Sequence, residues 1–83
     1  MKLIKLSMTT CAPCKELAKT LEGVNHPLVK TMESYNVDQN ATLAKAYGIR
    51  SVPALILVNE TGDKIRHLLG AQKQESIMEF LGA

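Results

Sequence analysis

The chain is poor in aromatic residues: among its 83 residues it has no tryptophan, one phenylalanine and two tyrosines. Aliphatic side chains must therefore form any core, and a chain of this length has room for one domain, which we place over residues 1–83. No apolar run approaches the roughly 20 residues of a membrane-spanning helix, and the N-terminal "MKLIKLSMTT" has no apolar stretch of signal-peptide length. We therefore expect a cytoplasmic protein that does not associate with membranes.

A strong excess of charge of one sign is also missing. Ten lysines and arginines face eight acidic residues, and no basic stripe is interleaved with aromatic residues, so nucleic-acid binding has no support. Cysteine is equally scarce, with Cys11 and Cys14 as the two examples. A small secreted domain usually carries several disulfide-forming pairs. One short-range pair in a reducing compartment indicates metal binding or redox catalysis instead.

Apolar periodicity and turn residues predict an α/β domain with the element order β-α-β-α-β-β-α. The predicted elements are a strand over 2–7, a helix over 9–24, a turn at 23–27, a strand within 28–37, a helix over 38–48, a loop at 49–53, strands over 54–58 and 64–69, and a helix over 73–82. Thr9 or Thr10 is expected to cap the first helix, and Gly23 to end it. Because a helix joins the first two strands, we expect them to be parallel, and the last two strands to form a hairpin.

The two cysteines occupy different environments in the predicted first helix. Leu17, Ala18 and Leu21 follow Cys14 at helical spacing, so Cys14 shares their face and points inward. Cys11 lies at the accessible start of the helix, where free N–H groups and the helix dipole stabilise a thiolate. These features predict Cys11 as the nucleophile of a dithiol–disulfide couple and Cys14 as its resolving thiol.

Two structural interpretations of the cysteines have weak support. A structural zinc site requires four ligands, and beyond the cysteines the chain offers His26, His67 and carboxylates, with no finger-like spacing between the histidines. A purely structural disulfide that closes so small a loop adds little stability. We therefore expect no bound metal at these positions.

A Cu(I) site is the more serious metal alternative, because two thiolates suit this soft ion. The segment "MTTCAPCKELAKTLEGV" resembles the metal-binding loop and first helix of heavy-metal-associated copper chaperone domains. Met8, however, lies three residues before Cys11, where that family usually has a spacing of two. Those domains also run β-α-β-β-α-β, whereas a helix is predicted after the last strand of this chain.

The second half of the chain favours the redox interpretation. The segment "NVDQNATLAKAYGIRSVPALILVNETGDKIRHLLGAQKQESIMEFL" resembles the second half of thioredoxins, with matches at Asp38, Tyr47 to Pro53 ("YGIRSVP"), Gly62 and Gly70. The resemblance begins at residue 2, so the amino-terminal strand and helix of full-length thioredoxins have no counterpart. It implies a small, glutaredoxin-sized thioredoxin-like domain. Its fold would be the thioredoxin fold, a mixed four-stranded sheet flanked by three helices.

The thioredoxin resemblance implies a thiol–disulfide oxidoreductase that reduces protein disulfides. Cys11 and Cys14 would be the catalytic pair, and because the redox-active disulfide is internal, no bound cofactor would be required. Disulfide-containing proteins would be the substrates. An NADPH-dependent thioredoxin reductase or a similar electron donor would restore the dithiol. We expect a monomer.

The same resemblance implies a substrate-binding surface around the cysteines. The Val52–Pro53 bond would be cis and would face the cysteine pair, which leaves the backbone of Val52 free to pair with an extended target segment. Ala12, Pro13 and Gly70 are the other expected substrate-binding residues. Pro13 directly before the second cysteine resembles thioredoxins more than glutaredoxins. The segment "LLGAQKQ" lacks the acidic residue that is typical of glutathione binding, yet a glutathione-dependent reductase remains an alternative.

Three positions depart from the usual thioredoxin pattern. Thr10 stands where thioredoxins usually have tryptophan, and Ala12 stands where they have glycine. Lys5 stands where most have a buried aspartate that is proposed to move a proton as Cys14 attacks. Lys5 has three interpretations: it lowers the pKa of a thiol, it delivers a proton, or its stem crosses an apolar face while its ammonium reaches water.

Overall fold

A computed structural model of the protein describes residues 1–82. Within these residues the chain forms four strands and four helices: β1 (Lys2–Ser7), α1 (Ala12–Glu22), α2 (Pro27–Lys30), β2 (Glu33–Asn36), α3 (Ala41–Ala46), β3 (Ala54–Val58), β4 (Lys64–Leu69) and α4 (Gln74–Leu81). The predicted α/β architecture and its order of strands are confirmed. The helix count differs, because three helices are predicted and the short α2 is a fourth.

Helix α2 lies where the sequence predicts a turn and the approach to the second strand. Pro27 occupies its first turn, a position that suits a residue with fixed φ and no N–H. The ring nitrogen Nδ1 of His26 accepts a hydrogen bond from the backbone N–H of Leu28 at 3.1 Å, which caps the helix. A helix of four residues shows no 3.6-residue periodicity, and histidine is not among the usual capping residues. The sequence pattern therefore carries no signal for it.

Helix α3 is shorter than the predicted range of 38–48. Asn40 stands at its N-terminal cap, but the Asn40 side chain makes no capping hydrogen bond. Its amide nitrogen donates instead to the carbonyl oxygen of Asn36 at 3.0 Å, so the turn after β2 and the start of α3 are linked. At the other end, Gly48 has φ of +70°, which takes the chain out of the helix just beyond Tyr47.

The sheet has the order β2-β1-β3-β4, with β1 parallel to β2 and antiparallel to β3, and with β3 antiparallel to β4. Both the parallel pair and the hairpin are therefore as predicted. In the register, Leu6 pairs with Ala54, and Ala54 pairs with Leu69. The C-terminal ends of β1, β2 and β4 thus meet the N-terminal end of β3 at one edge of the sheet, which we call the upper edge.

Aliphatic side chains cover both faces of the central strands. Every residue of β3 is buried, as expected for a strand that is covered on both faces. One face packs against α1 and α4, in a cluster of Leu3, Leu17, Leu21, Val24, Leu55, Leu57, Ile77, Phe80 and Leu81. The other face carries Ile4, Leu6, Ala54, Ile56 and Val58, with α3 and the following loop residue Ile49 packed against it. The alternation within β1 and β3 therefore supplies two small cores from two strands.

Polar contacts fasten the outer elements to this centre. Arg66 of β4 donates from Nε to the carbonyl oxygen of Phe80 at 2.8 Å, and its guanidinium carbon lies 5.6 Å from the centroid of the Phe80 ring. At the sheet edge opposite the upper edge, Lys2 and Glu33 form a salt bridge with a 3.0 Å separation. Hydrogen bonding to Glu33 raises the pKa of Lys2, and the same bond lowers the pKa of the Glu33 carboxyl.

We expect Leu17→Ala to destabilise the protein by about 2–5 kcal/mol, because Leu17 is fully buried where α1 packs on the sheet and its truncation leaves a cavity. Urea unfolding of the oxidised protein measures this change. The control is Lys19→Ala on the exposed side of the same helix, for which we expect a change within about 0.5 kcal/mol. Equal midpoints for the two variants would contradict the packing described for α1.

Candidate active site

The upper edge of the sheet brings together segments that are far apart in the sequence. The cysteine pair follows β1, and Asp38 follows the parallel strand β2. Val52 and Pro53 directly precede β3, and Gly70 directly follows β4. Because the four strand ends lie at one edge, the redox pair and the three expected substrate-binding positions of the second half share one end of the molecule.

Cys11 and Cys14 are joined in a disulfide, with their Cα atoms 5.2 Å apart. Cys11 is itself the N-terminal cap of α1: its backbone is extended, and its Sγ accepts a hydrogen bond from the backbone N–H of Cys14 at 3.2 Å. The expectation that Thr9 or Thr10 caps this helix is therefore wrong. A sulfur atom fills the role that a hydroxyl oxygen usually has. Gly23 ends the helix as predicted.

The two sulfurs differ in accessibility. Cys14 is 5% exposed, on the same buried face as Leu17 and Leu21, whereas Cys11 is only partly buried. The predicted inward orientation of Cys14 is therefore confirmed. Ala12 and Pro13, the residues between the cysteines, are exposed in the first turn of α1. The surface beside Cys11 thus consists of small and rigid apolar groups that leave its sulfur approachable.

A set of polar contacts that the sequence did not predict fixes the loop before Cys11. Asn36 donates from its side-chain amide to the hydroxyl oxygen of Thr9 at 2.8 Å, and its amide oxygen accepts from the backbone N–H of Asp38, also at 2.8 Å. A carboxylate oxygen of Asp38 accepts from the backbone N–H of Thr9 at 3.3 Å. The bonds to Thr9 connect residues that are far apart in the sequence, so only the parallel pairing of β1 and β2 could reveal them.

Val52, Pro53 and Gly70, the expected substrate-binding residues of the second half of the chain, lie together at the upper edge. The Val52–Pro53 peptide bond is cis, and Pro53 is buried. The carbonyl oxygen of Pro53 accepts from the backbone N–H of Gly70 at 2.8 Å, which joins the two expected substrate-binding stretches. Gly70 has φ of +84°, a conformation that favours glycine. Val52 lies just outside the sheet ladder, whose last β1–β3 pair is Leu6 with Ala54.

Lys5 lies on the sheet face that α1 covers. It sits between buried Ile4 and Leu6 in β1, and its partner across the sheet is Leu55, a member of the core beneath α1. Its side chain is partly buried, and among residues 1–82 it forms no salt bridge or side-chain hydrogen bond. This environment fits a lysine whose stem crosses an apolar face. Among residues 1–82, no hydrogen bond connects the Lys5 ammonium with the sulfur of Cys11 or of Cys14.

The metal-binding interpretations of the cysteine pair require further ligands close to the two sulfurs. In the described part of the chain, no three histidine, cysteine or acidic side chains are grouped so that they could hold a metal ion. His26 caps α2, and His67 lies in β4 with its Nδ1 3.0 Å from the Lys64 ammonium. Helix α4 follows the last strand, which differs from the β-α-β-β-α-β order of copper chaperone domains. Over residues 1–82, none of the helices has the length and apolarity to cross a bilayer.

Comparison with known proteins gives consistent relatives. The family model described as Thioredoxin matches residues 1–83. The chain is 33% identical over 75 residues to the SPbeta prophage-derived thioredoxin-like protein YosR of Bacillus subtilis, covering 90% of this chain and 89% of that protein. It is 30% identical over 82 residues to a thioredoxin of Staphylococcus epidermidis, covering 96% of this chain and 78% of the other.

Solved structures agree with the fold. A mutant thioredoxin from Halobacterium salinarum superposes with a TM-score of 0.78 at 28% identity, over 94% of this chain and 68% of the other. The thioredoxin of Malassezia sympodialis also gives a TM-score of 0.78, at 24% identity, over 96% of this chain and 71% of that one. With the Cys11–Cys14 disulfide at the start of α1, these matches show that the chain belongs to the thioredoxin family of thiol–disulfide oxidoreductases.

Proposed function

We propose that this protein, as a single domain over residues 1–83, reduces disulfide bonds of other proteins and uses no cofactor beyond its own cysteine pair. The observation that carries the proposal is the asymmetry of the pair. Cys11 is partly exposed and caps α1 through its sulfur, while Cys14 is buried one turn further on. A partner molecule can thus reach the sulfur of Cys11, whereas the sulfur of Cys14 can be reached only by that of Cys11.

In the first step, the thiolate of reduced Cys11 attacks one sulfur of the target disulfide. A bond forms between Cys11 Sγ and that target sulfur, and the other target sulfur leaves as a thiolate and takes up a proton. The backbone N–H of Cys14, which donates to Cys11 Sγ in the disulfide form, supports the attacking thiolate together with the helix dipole. The start of the helix therefore favours the form of Cys11 that reacts.

In the second step, Cys14 loses its proton and attacks Cys11 Sγ. The bond between Cys11 Sγ and the target sulfur breaks, and that target sulfur leaves as a thiolate and is protonated. The Cys11–Cys14 disulfide forms in its place. Two electrons have then passed from the cysteine pair to the target. The Cα atoms of the two cysteines are 5.2 Å apart in the resulting state, within the usual range for a disulfide, so the pair closes without a large backbone movement.

The target segment is proposed to bind along the residues that surround Cys11. Ala12 and Pro13 form the exposed first turn, and Val52 offers backbone groups that lie beyond the sheet ladder. Gly70 is held beside Pro53 by its 2.8 Å hydrogen bond, so the two loops form one continuous surface. An extended segment on this surface would present its disulfide to Cys11 while Pro53 supports it from below.

The partners follow from this chemistry. Reduced protein must be regenerated by a two-electron donor, which we propose is an NADPH-dependent thioredoxin reductase or a similar flavoprotein. The names of the matched relatives favour this donor over glutathione. We further propose that the protein acts as a monomer in the cytoplasm. The proposed substrates are protein disulfides, with no role for nucleic acid or membranes.

Cys11→Ser is expected to abolish catalysis, because the variant has lost the nucleophile of the first step. The measurement is the reduction of insulin disulfides by dithiothreitol, followed as turbidity, with and without the protein. The matched control is Thr20→Ser, which keeps a hydroxyl in the same helix away from the redox pair and should accelerate the reaction like the unmodified protein. Acceleration by Cys11→Ser equal to that of the control would contradict the assignment.

Cys14→Ser is expected to trap the mixed disulfide, because the first step proceeds while the second step has no attacking thiol. Incubation with a peptide closed by one disulfide should yield a covalent adduct at Cys11, visible as an added peptide mass. Dithiothreitol should release it. Multiple turnovers without an accumulating adduct would contradict the proposed role of Cys14.

A further inference from the structure

A pocket opens at the sheet edge opposite the upper edge, at the other end of the strands from the redox pair, and we call it the lower pocket. Its volume is about 400 Å³, a size that is common for sites that hold small molecules. Its lining comes from the starts of β1 and β2, the end of β3, helix α3 and the hairpin loop before β4. None of the lining residues is among the expected site residues, so the function proposed above assigns it no role.

The lower pocket exists because α3 is too short to cover its face of the sheet from end to end. The six residues of α3 span about 9 Å, whereas the six residues of β1 span about 20 Å. Ile4 of β1 and Val58 of β3 form an aliphatic floor, and Leu43 of α3 stands beside them. A ligand in the pocket would therefore rest on the same aliphatic face against which α3 packs.

Both tyrosines of the chain, Tyr35 and Tyr47, line the lower pocket. Each is partly buried and packs against the aliphatic floor. The hydroxyl of Tyr35 donates to a carboxylate oxygen of Glu33 at 2.8 Å, and this hydrogen bond raises the pKa of Tyr35. The hydroxyl of Tyr47 donates to the carbonyl oxygen of Gly62 at 3.4 Å. Since aromatic rings pack favourably edge to face or in offset stacks, two anchored tyrosine rings favour an aromatic ligand.

The charged side chains of the lining leave one negative charge without a partner. Lys2 and Glu33 neutralise each other through their 3.0 Å salt bridge. Glu60, the third charged side chain of the lining, is exposed, and in the part of the chain that the structure describes it forms no salt bridge or side-chain hydrogen bond. An ammonium group is attracted both by such a carboxylate and by the face of a tyrosine ring. The lining therefore favours a ligand with a positive charge.

We propose that the lower pocket binds an aromatic ammonium compound, whose ring lies against Tyr35 and Tyr47 and whose ammonium group approaches Glu60. The inference does not rest on the proposed function, because the pocket and the redox pair lie at opposite ends of the strands. A ligand in the pocket leaves Cys11 accessible. We therefore expect the protein to reduce disulfides at the same rate with and without this ligand.

Three probes of similar size separate the contribution of the ring from that of the charge: phenylethylamine, phenylacetate and cyclohexylethylamine. Each is titrated into the isotope-labelled, oxidised protein, and the backbone amide shifts in two-dimensional NMR spectra give both the Kd and the location of binding. We expect the shifts to cluster around the lower pocket, and phenylethylamine to bind about five-fold more tightly than either other probe. Its advantage over phenylacetate should shrink at high salt. Equal Kd values, no saturable shifts, or shifts centred on the upper edge would overturn the proposal.

Variants assign the two preferences to their residues. Tyr47→Leu, which keeps an apolar side chain without a ring, should weaken phenylethylamine binding about five-fold, whereas Tyr47→Phe should keep most of it. Glu60→Gln should remove the preference for phenylethylamine over phenylacetate. Its matched control is Glu79→Gln, an exposed position of α4 outside the pocket, which should keep that preference.

Insulin reduction at the unmodified rate shows that each variant is folded. Glu60 is exposed, so Glu60→Gln tests the proposal even where Tyr47→Leu fails to fold. A preference for phenylethylamine that survives Glu60→Gln would overturn the proposal. Failure of the unmodified protein to reduce insulin would instead contradict the proposed function, and it would leave the binding result unaffected.

Discussion

The antiparallel pairing of β1 with β3 holds together both the sheet and the candidate active site. It sets Leu6 opposite Ala54, and so it fixes where the chain leaves each strand. The segment leaving β1 carries the cysteine pair, and the segment entering β3 carries Val52 and Pro53. A slip by one residue would reverse the faces of β3 and separate these segments, so the same aliphatic contacts that stabilise the sheet also assemble the site.

The site combines a reactive element with a supporting one. The start of α1 supplies the sulfur chemistry, because the cap position gives Cys11 a hydrogen-bond donor and leaves it accessible. The supporting element is the polar set of Thr9, Asn36 and Asp38, which anchors the loop before Cys11 to the end of β2. Neither element requires a large protein, which explains how a chain of 83 residues accommodates a complete redox pair.

Much of this arrangement was predictable from the sequence. The buried strand 54–58 and the inward face of α1 follow from aliphatic runs and helical spacing, and the structure confirms both. The thioredoxin family was indicated by "YGIRSVP" together with the cysteine pair. Helix α2 was not predictable, since it is one turn long and a histidine caps it. The Asn36 contact with Thr9 also escaped prediction, because it arises between segments that meet only after the sheet forms.

We propose that the start of α1 makes Cys11 the reactive sulfur, and that the buried Cys14 reacts only in the second step. Alkylation of the reduced protein by a limiting amount of iodoacetamide at neutral pH, with peptide mapping over time, measures the reactivity of each sulfur separately. We expect Cys11 to be modified first and Cys14 to react much more slowly. Equal rates at the two cysteines, or earlier modification of Cys14, would contradict this proposal.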